Sequence, residues 1–261
     1  MSNVYSHGGM NMRNDSLVLN KKSWDEVAPR FFGRNPLPEY GPLAPREEQL
    51  NLLGDVTGMK LLDIGCGSGH SLQYMDSRGA AELWGVDLSK TQIETAKELL
   101  MDTKAHVHLF ESPMEDNPGL PHAYFDIVYS IYALGWTSDL HQTLTNVHSY
   151  LKPGGIFVFS WEHPLHSRAS LEGEEIHFNK SYHEEGAYDH EAWHAPAIMQ
   201  QYKVSTYINT LVECGFEIEK VVEDVSLTEE DRERHANRWY SYEKAKMMPT
   251  TLIIKSRKKD R

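Results

Sequence analysis

Lys60-Leu-Leu-Asp-Ile-Gly-Cys-Gly-Ser-Gly69 decides how the rest of the chain is read. Leu61, Leu62 and Ile64 make a short apolar run of the length a buried parallel strand needs, and Gly65, Gly67 and Gly69 then break it at alternate positions. Glycines so spaced leave no Cβ between main chain and ligand, and Leu72 and Met75, three apart, begin a helical pattern behind them. The stretch predicts a strand, a bare turn and a helix whose free N–H groups face an anionic or strongly polar small molecule. A dinucleotide fingerprint needs Gly or Ala where His70 stands, and no Gly-Lys-Ser/Thr follows for a phosphate loop.

Working outward, Glu82-Leu-Trp-Gly-Val-Asp87 reads as the second strand and ends on a carboxylate 18 positions beyond Gly69. An acid at that strand tip can accept from both hydroxyls of an adenosine ribose. Ser89 then opens a helix with Ile93, Ala96 and Leu100 on its buried stripe.

Taken together, Leu61–Gly69 and Val86-Asp87-Leu-Ser89 resemble the first two motifs of the class I S-adenosylmethionine-dependent methyltransferases. Val107-His-Leu-Phe-Glu-Ser-Pro-Met-Glu-Asp116 resembles the third strand and adenine-contacting turn of that family. Tyr124-Phe-Asp-Ile-Val-Tyr-Ser130 resembles its fourth strand, and Leu151-Lys-Pro-Gly-Gly-Ile-Phe-Val-Phe159 its fifth. The resemblance implies an α/β fold, a Rossmann-like, mostly parallel seven-stranded sheet with helices on both faces. It also implies S-adenosylmethionine as cofactor. Its contacts would come from Asp63, Gly65, Cys66, Gly67, Ser68 and Gly69 in the first motif and from Asp87 and Leu88 in the second. Ser112, Met114 and Ser130 would complete the set. The family's adenine turn usually begins with Asp, where this chain has Ser112 followed by Pro113, so the backbone N–H of Met114 is the expected ring contact.

Open α/β sheets place substrates at the carboxyl ends of their strands. Tyr132 and Trp136, after the fourth strand, are therefore candidates for the wall of a methyl-acceptor site. His163, and second to it Glu162, follow the fifth strand and are candidates for a base. His163 and Tyr132 are accordingly the expected catalytic residues.

From 162 to about 202 the composition shifts to histidine, tyrosine and glutamate, which predicts a lid inserted after the fifth strand. Within it His190-Glu-Ala-Trp-His194 matches a zinc-protease pattern, yet Asp189 and Pro196 bracket barely one turn of helix, so no metal is expected. The expected division is residues 1–58 as an N-terminal arm with helices packed on the core, and 59–257 as the methyltransferase domain with its lid. Met1 to Asn20 reads as a mobile arm, Ser23 as the cap of a short helix, Arg46 to Leu53 as a helix, and Glu229 to Ala245 as a polar helix between the two last strands, Phe216 to Val225 and Thr250 to Ile254. Those strands are expected to be antiparallel by the resemblance.

The 261 residues carry 38 acidic against 26 basic side chains, a net charge of −12, which opposes approach to nucleic acid or an anionic membrane. Two cysteines without metal-finger spacing fit a reducing compartment, and the polar first twenty residues lack a secretory core. The expectation is a cytoplasmic enzyme moving a methyl group to a small-molecule acceptor. A non-catalytic S-adenosylmethionine-binding module and a nucleotide-dependent oxidoreductase are the alternatives, the latter disfavoured by His70.

Overall fold

The computed structural model describes residues 8–190, 195–235 and 239–259, of 8–12 the backbone alone. The described residues open with a helix, α1, over Gly8–Val27, where a mobile arm was expected over residues 1–20, of which 1–7 lie outside the described residues. Ser23 lies inside this helix and directs its hydroxyl to the Ala195 carbonyl at 3.4 Å, so it caps nothing. The expected helix before the first strand shrinks to one turn, α2, Glu47–Leu50, because Asn51 turns left-handed at φ +47°. Buried Glu47 then takes up the N–H groups of Leu52 and Leu53, both at 3.0 Å.

Strand β1 spans Lys60–Ile64 and runs through the glycine turn into α3, His70–Ser77. Strand β2, Glu82–Asp87, leads to α4, Lys90–Leu99, and then come β3, His106–Glu111, and β4, Phe125–Ile131. Helix α5, Leu140–Tyr150, precedes the long β5, Leu151–Glu162. Two antiparallel hairpins form the insertion: β6, Ala169–Glu172, with β7, Glu175–Phe178, and β8, Gly186–Asp189, with β9, Ile198–Gln201. Helix α6, Val204–Glu213, and β10, Phe216–Val222, return the chain to the sheet. The expected polar helix is two short ones, α7, Glu229–Arg234, and α8, Tyr242–Ala245, before the last strand β11, Thr251–Lys258.

The seven-stranded sheet has the order β10-β11-β5-β4-β1-β2-β3. Its strands from β1 to β5 are parallel, and β11 runs antiparallel to both β5 and β10. Of the last two strands only β11 is therefore reversed against the rest. Alternate residues face opposite layers: Leu61 packs with Leu72, Met75, Ile93 and Ala96 of α3 and α4, while Leu62 and Ile64 pack with Leu144, Val147, Tyr207 and Leu211 of α5 and α6. At β1 the chain order reverses between β2 on one side and β4 on the other, which opens a crevice at the carboxyl ends of β1 and β4. No helix among the described residues is long and apolar enough to cross a membrane.

Candidate active site

The glycine turn is folded back onto β2. The N–H groups of Gly65 and Cys66 both donate to the Val86 carbonyl, at 2.7 and 3.0 Å. Gly65 has φ +78°, and a Cβ there would overlap that of Ala133, so only glycine lets this backbone lie so close to the end of β4. Asp87 ties three segments together. Its Oδ2 accepts from Gly67 N–H and its Oδ1 from Ser89 N–H, both at 2.9 Å, and its carbonyl accepts from Ser112 N–H at 2.9 Å. Burial raises the Asp87 carboxyl to about 6, against the pull of those two N–H groups. Asp63 is buried beside it, its Oδ1 without a hydrogen-bond partner, and burial with repulsion from Asp87 raises its carboxyl well above the ordinary range.

These groups open into a cavity of about 840 Å³, large among small-molecule sites, which run to about 1,000 Å³. Of the expected cofactor contacts, Asp63, Gly65, Cys66, Gly67, Ser68, Asp87, Leu88, Ser112 and Met114 line it. Gly69 and Ser130 do not. Gly69 caps α3 at φ +85° and is pressed against Ala96 and Leu100, so its glycine serves helix packing. Ser130 is fully buried with its hydroxyl unpartnered, and Ile131 and Tyr132, which follow it, line the cavity.

The remainder of the wall is a chain of aromatic rings. Trp24 lies 5.2 Å from Trp136, Trp136 6.3 Å from Trp161, Trp161 5.7 Å from Tyr132, and Tyr132 6.2 Å from Tyr240. Tyr132 stands at φ +53° where β4 ends, and its hydroxyl meets Thr251 Oγ1 at 2.9 Å. Burial raises its phenol well above the ordinary tyrosine range, and Tyr132 contributes a ring to the wall and a hydroxyl hydrogen-bonded to Thr251.

His163 is displaced from the role its sequence position suggests. It is 1% exposed and absent from the cavity wall, with Nδ1 accepting from Leu165 N–H at 3.1 Å and Nε2 donating to Glu223 at 2.7 Å. Burial lowers its pKa while Glu223 raises it, and both nitrogens are spent on holding the turn after β5. Glu162, one residue earlier, does face the cavity. Its Oε2 accepts from Trp239 Nε1–H and Tyr240 O–H, both at 2.6 Å, and burial raises its carboxyl against those two bonds.

Trp239 and Tyr240 come from the stretch between α7 and α8, 77 and 78 residues beyond Glu162, and no local pattern marks them. Nor does local pattern place Leu17, Asn20 and Trp24 of α1 over the cavity opposite Tyr188, Asp189 and Met199 of the β8–β9 hairpin. His190 also lines the cavity, 5.6 Å from the Trp136 ring, while residues 191–194 of the zinc-type pattern lie outside the described residues. Among the described residues no three His, Cys, Asp or Glu side chains gather as a metal site requires.

Residues 62–159 match the family described as Methyltransferase domain. An uncharacterized protein of Haemophilus influenzae is 29% identical over 261 residues, covering 95% of this chain and 99% of that one. A tRNA U34 carboxymethyltransferase of Idiomarina loihiensis is 33% identical over 110 residues, 41% of this chain and 33% of that protein. Among solved structures, an S-adenosylmethionine-dependent methyltransferase of Mesorhizobium loti superposes with a TM-score of 0.67 at 27% identity, covering 80% of this chain and 95% of that one.

The residues present fit the cofactor that this likeness implies. The turn has no room for a Cβ at Gly65, Asp87 keeps a free lone-pair site on each oxygen for a pair of hydroxyls, and the orphaned Asp63 Oδ1 offers an acceptor to an ammonium group.

Proposed function

We infer that this chain, which belongs to the class I S-adenosylmethionine-dependent methyltransferases, moves a methyl group onto a small molecule held in the aromatic half of the cavity. One observation carries this reading: the glycine turn with Asp87 and the ring-lined chamber open into a single cavity, so a methyl held by one half faces whatever the other half holds. When bound, the cofactor supplies a methyl group on a positively charged sulfur. Asp87 would accept the ribose hydroxyls, Asp63 the amino group, and Ser112 to Met114 would border the adenine. Tyr132 and Trp161 would fix the acceptor's approach, since positioning reactants in line accounts for much of the barrier in a direct displacement.

A small acceptor is favoured over a nucleic acid by the −12 net charge and by the roof that α1 and the β8–β9 hairpin form. Residues 1–58 and 162–202 would serve as that cover and 59–257 as the catalytic domain. Two free cysteines, Cys66 buried and Cys214 half-buried, are in keeping with a cytoplasmic protein. A metabolite screen that reads release of S-adenosylhomocysteine tests the reading. Turnover with one class of small molecules is expected. Tight binding of S-adenosylhomocysteine with no turnover of any acceptor would instead identify a sensing module.

A further inference from the structure

The acceptor half of the cavity combines two features. Its walls are ring faces and edges from Trp24, Trp136, Trp161, Tyr132 and Tyr240, and its one carboxylate beside Tyr240 is Glu162. The hydrogen-bond partners of Glu162 are neutral. Oε2 takes the Trp239 and Tyr240 donors, and Oε1 accepts no hydrogen bond from the described residues. His166 Nδ1 lies 3.8 Å from Oε2, and burial holds that ring neutral with a pKa of about 3. Lys244 is the neighbouring cation, and its ammonium is committed to the carbonyls of His166 at 3.0 Å and Ala169 at 2.6 Å.

Other cations of the chain already lie against rings that line this cavity. Lys180 Nζ stands 4.8 Å from the Tyr188 ring centre, and the Arg34 guanidinium lies 5.0 Å from that of Phe31. Lys244 Nζ lies 4.4 Å from the Trp239 ring centre and acts on Glu162 at longer range, so among the described residues no Lys or Arg stands within ion-pair distance of that carboxylate, while the ring faces beside it attract cations.

Resting on the methyl-transfer reading above, we propose that the acceptor is an amine, recognised as its ammonium between these rings and Glu162, and that Glu162 receives the proton the nitrogen must lose. Transfer of one proton from the ammonium to Oε1 frees the nitrogen lone pair. That pair forms the N–C bond to the methyl group while the C–S pair returns to sulfur, leaving a neutral thioether, and the proton on Glu162 passes to water when the product leaves. A carboxylate among rings also disfavours acceptors that are themselves anionic.

Choline and its neutral isostere 3,3-dimethylbutan-1-ol separate charge from shape, and tryptophans 24, 136, 161 and 239 of the cavity wall report either by fluorescence. Titrations are run with and without saturating S-adenosylhomocysteine, whose own binding is followed by calorimetry. Choline is expected to bind at least about tenfold more tightly than the isostere, and Glu162→Gln to bring that ratio near one with S-adenosylhomocysteine affinity unchanged, while Glu162→Asp keeps part of the preference. Equal binding of the two probes to the unaltered protein overturns the proposal without any variant. A preference that survives in Glu162→Gln overturns the assignment to that carboxylate. Choline discrimination in a protein that fails to bind S-adenosylhomocysteine would support the cation site and sink the methyl-transfer reading, so the two failures are told apart.

Discussion

Asn20 and Ile198 hold each other by a matched pair of hydrogen bonds, the Asn20 Nδ2 donating to the Ile198 carbonyl at 2.8 Å and the Ile198 N–H to Asn20 Oδ1 at 2.7 Å. A side-chain amide here takes the place that a neighbouring strand would occupy on the edge of β9. It joins two segments 178 residues apart above the cavity.

Cutting that tie should uncouple the roof. In the unaltered protein, residues 13–27 and 186–201 are expected to gain hydrogen-exchange protection together when S-adenosylhomocysteine is added. Asn20→Ala leaves a backbone N–H and a carbonyl without their partner, an expected cost of about 1–3 kcal/mol, and the two segments should then respond separately. Protection confined to residues 65–89 in the unaltered protein would show that α1 is no lid.

Asp87→Ala should weaken S-adenosylhomocysteine binding by about 1.5–3 kcal/mol, the worth of hydrogen bonds to a charged group, as read by calorimetry. The carboxyl titrates at about 6 in the free protein, and only its ionised form accepts from both hydroxyls. Affinity should therefore be level above about pH 7 and fall as pH drops through 6, by up to about tenfold per unit below it. The slope should vanish in the variant. Binding that is flat from pH 5 to 8 in the unaltered protein would remove Asp87 from the ribose site.

Gly135 sits under the Trp161 indole, and a Cβ at this position would overlap the ring. Gly135→Ala is expected to displace the indole at an overpacking cost of about 1–3 kcal/mol, visible in the melting temperature. If Trp161 lines the acceptor side as proposed, KM for the acceptor should rise while S-adenosylhomocysteine affinity stays within about twofold. Equal losses on both sides would mean that the two halves of the cavity are not separable.

His163→Ala tests the distinction between holding a turn and moving a proton. The substitution deprives Leu165 N–H and Glu223 of their partner and should lower stability by about 1–3 kcal/mol. The pH profile of kcat should keep its shape. A basic limb that disappears with the imidazole would restore His163 as the base.

The strand, turn and acid of β1 and β2 were legible because their chemistry is local: within 28 residues, from Lys60 to Asp87, the apolar run, the glycines and the carboxylate have few other uses together. Gly69 and Ser130 show the limit of that reading. The resemblance placed both near the site, and whether each faced ligand or core depended on Ala96 and Leu100 beneath one and on the direction of the pleat at the other. The part of helix α1 before Ser23 reads in the sequence as a mobile arm because its anchoring is polar and scattered. Asn20, Lys21 and Asp25 reach β9, Glu111 and the start of α4, so no apolar stripe announces it. Tyr240 was out of reach of any local pattern, since its importance lies in meeting Glu162 across 78 residues.

The residues proposed to hold the cofactor come from one continuous part of the chain, from Asp63 to Met114, whereas the rings proposed to surround the acceptor come from Trp24, Tyr132, Trp136, Trp161, Tyr188 and Tyr240, all of them outside that span. Such a division lets a substitution in one half leave the residues of the other half untouched. The β1–β3 segment can be inherited whole while the helix, hairpins and late loop that bring the other rings are exchanged piece by piece. A lineage built this way can change what it methylates without relearning how to hold the methyl donor.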